Sequence, residues 1–286
     1  MAMLLSQRLG ASVDSGRRRL LAATGALFAA GVLPAAAQSD WRLIAREGGG
    51  YRFMPGNPVF AGGAVAEPGF AFVHGLLRQW LPLGAALEAI DRHLRAENRS
   101  MAALAGLELR LPEQLMPDAF ADFNREYLAL LGERGVLFEG LNPVSRTNVA
   151  PAAGAPSEPS VHAFSYCAPL PGASRSFVMS GMTEGGPGGV VAAGDVSTEG
   201  MRRKLVRVID LVSGRLEALG MGWADATHID LYAAHDFGAP LPRLLEPALA
   251  GGLRRGIRLH YGRPPIIGLE VELEARALAR EVLIEA

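Results

Sequence analysis

The apolar positions of this chain change period several times, and each change marks an element. GFAFVHGLLRQWLP, from Gly69, reads as a strand. Leu83, Leu87, Ile90 and Leu94 then recur at spacings of four, three and four, one face of a helix. In MAALAGLELRLP, Leu107 and Leu109 alternate with Glu108 and Arg110, the period of a strand. Phe120, Phe123, Tyr127 and Leu130 predict a second helix after Pro117-Asp118, ending near Gly132 or Gly135. SRTNVAP and VHAFSYCAP add two extended segments.

The same order returns. SFVMSGM is a strand and GGPGG a turn-rich loop. Ser197 is positioned to cap a long helix with apolar residues at Met201, Leu205, Val208, Val212, Leu216 and Leu219, stopped by Gly220. Ile229 and Leu231 alternate with His228, Asp230 and Tyr232, and Leu241, Leu244 and Leu245 mark another helix. The closing segment, RRGIRLHYGRPPIIGLEVELEAR, holds two strands around Arg263-Pro264-Pro265, with Leu269, Val271 and Leu273 on one face and Glu270, Glu272 and Glu274 on the other. Each half thus reads β-α-β-α-β-β, an α+β chain with both helices of each half packed on one face of a mixed sheet. The boundary falls in PLPGAS, giving units 38–170 and 171–286, and APAAGAPSEP is an insertion in the first.

Residues 1–37 form a separate unit. Arg17, Arg18 and Arg19 precede an apolar run from Leu20 to Leu33, and Ala35-Ala36-Ala37 gives a small-residue cleavage pattern before Gln38. This is the layout of an export signal, of twin-arginine type. It predicts a periplasmic protein with no stable membrane insertion once the signal is removed; a cytoplasmic location is the alternative.

Composition narrows the chemistry. A net charge of −1 and a pI of 6.6 argue against nucleic acid as partner. One cysteine, Cys167, excludes an internal disulfide and the cysteine-rich zinc modules. The histidines form no H-E-x-x-H, and neither a P-loop nor a G-x-S-x-G elbow is present, so no metal or cofactor is expected. His235-Asp236 reads as a loop turn, Arg202-Arg203-Lys204 as a solvated helix face, Trp223 as a staple between helix end and sheet, and Cys167 as a buried strand residue.

The second half resembles the RidA (YjgF/YER/UK) family, which has a chorismate-mutase-like fold and in which some members hydrolyse enamines and imines of amino-acid origin. The resemblance is carried by FVMSG at 177–181, the long helix closing on Leu-Gly, the W-x-D-A-T segment, and Pro264 to Glu270. The first half resembles the family more distantly, through NPVSRTNVAP, with His74-Gly75 in the place of Ser-Gly and no glutamate in VHAFSYC. The whole is similar to a tandem, two-repeat subgroup. By this resemblance Arg255 grips a substrate carboxylate, Glu270 orients water or relays a proton, and Ser180 and Gly181 line the pocket. Arg146 is the corresponding arginine of the first half. One half could hold the site and the other be structural, or composite sites could form where the halves meet. The implied function is a deaminase of enamine or imine derivatives of small carboxylic acids, in a homo-oligomer or pseudo-trimeric assembly. A non-catalytic protein binding a small carboxylated metabolite is the alternative, and ribonuclease activity, attributed to some relatives, fits the charge poorly. On the residues alone, the glutamate comb reads as a solvated strand face with Arg255 in a cross-strand ion pair.

Overall fold

A computed structural model describes residues 42–285, positions 187, 239, 240 and 250 excepted. The export-signal segment lies outside the described residues. The chain opens with a meander, β1 (Ile44–Arg46), β2 (Tyr51–Pro55) and β3 (Ala61–Ala66), which the apolar periodicity above does not disclose. Then follow β4 (Phe70–Pro82), α1 (Leu83–Ala96), β5 (Leu104–Arg110), α2 (Pro117–Glu133), β6 (Ser145–Pro151) and β7 (Ser160–Pro169). The second half holds β8 (Phe177–Met179), β9 (Met182–Thr183), α3 (Thr198–Ala218), β10 (His228–Ala233), α4 (Leu241–Leu249), β11 (Arg258–Arg263), β12 (Val271–Ala277) and β13 (Arg280–Ile284).

The pairing has the same pattern in both halves. In the first, β7 lies antiparallel between β4 and β5, and β5 pairs parallel with β6. In the second, β12 lies antiparallel between β8 and β10, and β10 pairs parallel with β11. The meander joins the halves. β3 pairs with β8 and touches β6, while β11 pairs with β6, so the hydrogen-bonded circuit β3-β8-β12-β10-β11-β6 closes on itself. Closure leaves these six strands no free edge in sequence order. The last strand, β13, adds parallel to β4.

Strand alternation sorts the side chains into two environments. Leu107 and Leu109 join α1 and α2 in one apolar core, and Ile229, Leu231, Val271 and Leu273 join α3 and α4 in another. The helices therefore cover one face of each half, as the periodicity predicts. Residues of the opposite parity meet between the halves, where a solvated glutamate face is not what forms: Glu272 and Glu274 are buried. Arg276 pairs with Glu108, and its Nη2 lies 2.7 Å from Asp230 Oδ2. Asp230 also holds Arg258 at 2.7 Å and His260 at 2.7 Å. His74 lies 2.7 Å from Glu108 and 2.8 Å from Glu281. A single buried charge would be prohibitive here; mutual pairing makes the layer tolerable.

This layer predicts how stability follows pH. Burial pushes His74 down to about 4 and His162 to about 3, so below 6.5 the unfolded chain takes up protons that the native one refuses. Burial pushes Glu272 and Glu274 up to about 8, so above 4.5 the unfolded chain releases protons that the native one keeps. Stability rises with pH where the unfolded state binds more protons and falls where it binds fewer. The two effects oppose between pH 4.5 and 6.5; below it the histidines act together with Glu281 and Asp230, whose carboxyls are held low by His74 and by His260 and Arg258, and Glu272 and Glu274 act alone from 6.5 to 8. Urea unfolding at pH 3.5, 5.5 and 8 is expected to give the largest free energy at 5.5. A monotonic rise to pH 8 contradicts this assignment.

Other expectations resolve locally. Cys167 is buried, its thiol is pushed up to about 12 by burial, and Sγ lies 3.1 Å from the Gly50 carbonyl. Trp223 is buried in the apolar core of the second half and donates Nε1–H to Ser213 Oγ at 2.9 Å. Asp236 accepts from the Gly238 amide at 3.0 Å, a turn contact. The solvated-face reading fails for Lys204, which is fully buried: its place on α3 beside Met201 and Leu205 turns it toward the sheet.

Candidate functional site

The Pro-x-x-Arg segment Pro143–Arg146 leads into β6, whose parallel pairing with β5 sets Arg146 opposite Leu107. Leu107 faces the helices, so Arg146 does too, under α2. Its guanidinium lies over the rings of Tyr127 at 4.5 Å, Phe60 at 5.2 Å, and Phe120 and Phe123 at 5.6 Å. Ring faces attract a cation but supply no hydrogen-bond acceptor. Nη2 donates to Asn124 Oδ1 at 2.8 Å, and the Asn148 carboxamide, turned oxygen-first, accepts from Nε at 3.2 Å. Nη1 is buried with no partner. Burial drives the group down to about 10, which leaves it cationic at neutral pH. A buried guanidinium with a free edge is a receptor for an anion.

The second half supplies an acid. Glu272 sits on β12 with its Oε2 buried and unpartnered. Burial, reinforced by the Glu184 charge and opposed by Arg110 and Arg146, pushes it up to about 8. At neutral pH it is a carboxylic acid with a proton to give. Arg146 and Glu272 line one cavity of about 160 Å³, together with Asn124, Asn148, Gly181 and Thr183 and the apolar surfaces of Phe60, Phe120, Met182 and Leu269.

Gly181 separates β8 from β9. A Cβ there would overlap Glu272 Oε1, so only glycine lets the acid occupy this place. Gly181→Ala is expected to push the Glu272 carboxyl out of this place. A crystal structure of the variant with that carboxyl unmoved contradicts the contact. Ser180 works behind the wall: its hydroxyl accepts from the Arg146 amide at 2.8 Å and donates to the Ala61 carbonyl at 2.6 Å, pinning β6 to β3. Thr147 accepts from the Gly181 amide at 3.1 Å and donates to Glu274.

The structure brings together Arg146, Ser180 and Gly181 but not Arg255 and Glu270. Arg255 ends a short 3-10 turn, Gly252–Arg255, and donates to the Ala226 carbonyl at 3.1 Å, away from the cavity. Glu270 precedes β12 and lies 3.2 Å from Arg263 and 3.5 Å from His235, outside the cavity lining. Strand period alone puts Glu270, Glu272 and Glu274 on one face; Glu272 is set apart from Glu270 because β12 begins at Val271. The first half has no equivalent acid: the Phe164 ring stands against Gly75, where a Cβ would come within 2.6 Å of it. One composite site is thus assembled, with the arginine from the first half and the glutamate and glycine from the second. Among the described residues no cluster of three or more metal-ligating side chains occurs.

A sequence model of the family described as 2-aminomuconate deaminase CnbZ matches residues 43–282. The 2-amino-5-chloromuconate deaminase of Comamonas testosteroni is 39% identical over 246 residues, which are 82% of this chain and 96% of that protein. Among solved structures, a chorismatase superposes with a TM-score of 0.43 at 15% identity, covering 80% of this chain and 77% of its own. A Thermotoga maritima endoribonuclease candidate gives 0.30 at 20% identity, covering 45% and 91%. Likenesses this distant carry no argument about the site.

Proposed function

This chain belongs to the 2-aminomuconate deaminase CnbZ family, and from that membership we propose that it hydrolyses an enamine, or its imine tautomer, of a small unsaturated carboxylic acid and releases ammonia. The observation that carries the reading is the pairing, in one largely apolar cavity, of a buried arginine with a free edge and a glutamate held protonated. Arg146 holds the carboxylate next to the reacting carbon. Glu272 gives its proton to the enamine carbon, producing the iminium tautomer, and as carboxylate takes a proton from water as that water adds. Collapse of the carbinolamine expels ammonia and leaves the ketone. The sum is R–C(NH2)=CH–R′ + H2O → R–CO–CH2–R′ + NH3. The apolar walls accept a flat conjugated chain, and a muconate-type skeleton is the substrate class proposed.

Glu272 works as an acid only while protonated, so the rate is expected to fall as pH rises past about 8. The experiment is ammonia release from enzymatically generated 2-aminomuconate and from freshly formed 2-iminopropanoate. No rate above buffer with either, together with carboxylate binding by calorimetry, would move the chain to the non-catalytic binding class.

The two halves are read as diverged copies of one RidA-like unit, 38–170 and 171–286, supported by their matching strand order. Export is proposed from the arginine, apolar and alanine pattern of residues 15–37; a mature terminus at Gln38 tests it. Self-association, as a homo-oligomer or a pseudo-trimeric arrangement of such units, is proposed from the RidA resemblance, and sedimentation tests it.

A further inference from the structure

The glycine-rich turn after β9 is the motif that the chemistry above leaves unused. Gly185, Gly186, Gly189 and Val190 line the same cavity as Arg146 and Glu272. Glycine gives this segment a thin wall that brings backbone close to a ligand, but nothing in glycine itself holds the wall in place. Two fully buried charged side chains, used by no step of the reaction, stand at its base.

Glu184 precedes the turn. Its Oε1 accepts from Lys204 Nζ at 3.2 Å and from the Glu270 amide at 2.7 Å, and its Oε2 accepts from the Val271 amide at 3.1 Å. Lys204 Nζ also donates to the Val191 carbonyl at 3.2 Å, at the far end of the turn. The Val191 amide returns to the Glu184 carbonyl at 3.2 Å, closing the base, and Gly189 N–H reaches Gly186 O at 2.8 Å within the turn. One ammonium therefore holds both ends of the loop, and one carboxylate fastens that loop to the start of β12, one residue from Glu272. A buried ion pair is weak evidence for stability, since apolar residues of similar volume commonly serve as well, while it does fix geometry. Its partners here are the two ends of a cavity wall and the strand carrying the acid.

We propose that Glu184 and Lys204 are specificity-determining positioning residues: they clamp Gly185, Gly186, Gly189 and Val190 as the wall that receives the part of the substrate beyond the carboxylate held by Arg146. The inference rests on the reading of this cavity as the substrate site and adds the length of substrate it selects. A long, doubly carboxylated diene uses the wall; a three-carbon acid, spanned by Arg146 and Glu272 alone, does not.

Binding of muconate, which has no amino group to lose, separates this proposal from the hydrolytic one. Calorimetry would compare muconate with propenoate on the wild-type protein and on the double variant Glu184→Gln/Lys204→Met, which removes both charges together so that neither is left buried alone. Muconate is expected to weaken about tenfold and propenoate to stay within twofold, with the folded state confirmed by thermal unfolding. Equal weakening of both ligands, or of neither, overturns the clamp. Hydrogen exchange on the wild-type protein gives a second reading if the variant does not fold: the amides of Gly185, Gly186, Gly189 and Val190 are expected to slow with muconate and not with propenoate. Uniform exchange with both ligands overturns the proposal. Wild-type protein that binds muconate but releases no ammonia from its 2-amino derivative sinks the hydrolytic reading and leaves the clamp standing; wild-type protein that binds no muconate overturns the clamp.

Discussion

Replacing Arg146 by methionine is expected to lower kcat/KM for a carboxylated enamine by about 1000-fold while raising the melting temperature. The first half of this result follows from the buried, partner-free edge of the guanidinium. A desolvated charge-assisted pair is worth about 4 kcal/mol when one member is removed, and each 1.4 kcal/mol is tenfold. The second half follows from the four rings around it. Among the described residues no carboxylate lies within ion-pair distance of Arg146, so two amide acceptors and four ring faces offset only part of the desolvation of this cation, and Nη1 is left for a substrate. An apolar side chain of similar length fills the same sleeve without that penalty. Arg146→Lys is expected to be nearly as inactive, because a point charge cannot reproduce the planar fork. Steady-state kinetics and differential scanning calorimetry on the same preparations check both limbs. A methionine variant that keeps its kcat/KM would remove Arg146 from the site.

Glu272→Gln carries the second large effect, through the chemical step. It keeps the shape and the burial but has no proton to donate, and a positioned general acid contributes about 100- to 10,000-fold. The loss should appear in kcat, with muconate affinity nearly unchanged. The same variant removes the alkaline penalty of a carboxyl that the fold wants neutral, so its stability is expected to exceed that of the parent at pH 8.5 and to match it at pH 4. Urea titrations at the two pH values test this. Equal stability differences at both would mean that Glu272 ionises in the native protein as freely as in the unfolded chain.

How much of this was legible beforehand depends on whether the information was local. Strands β4, β5, β7, β8, β10 and β12 and the helices follow from apolar spacing, because each buries one face against the other layer. The meander β1–β3 and the last strand β13 escape that test. β3 is glycine- and alanine-rich, and β13 is mostly exposed. Arg146 and Gly181 are legible because a motif and a strand break mark them. Arg255 and Glu270 lie outside the cavity for one reason: near the Pro-Pro turn a one- or two-residue offset moves a side chain from one environment to another, and charge alone does not report the offset. Lys204 looked solvated because lysine usually is; its burial depends on Glu184 and Val191, which meet it only in three dimensions.

The division of the site between two halves has a consequence for the life of the polypeptide. A chain interrupted before β8, by stalled synthesis or by a protease, carries Arg146 but lacks the acid and the part of the cavity wall from Gly181 to Glu272. The cavity is complete only once β12 has docked, so under the proposed function turnover would report that both halves have been made and assembled.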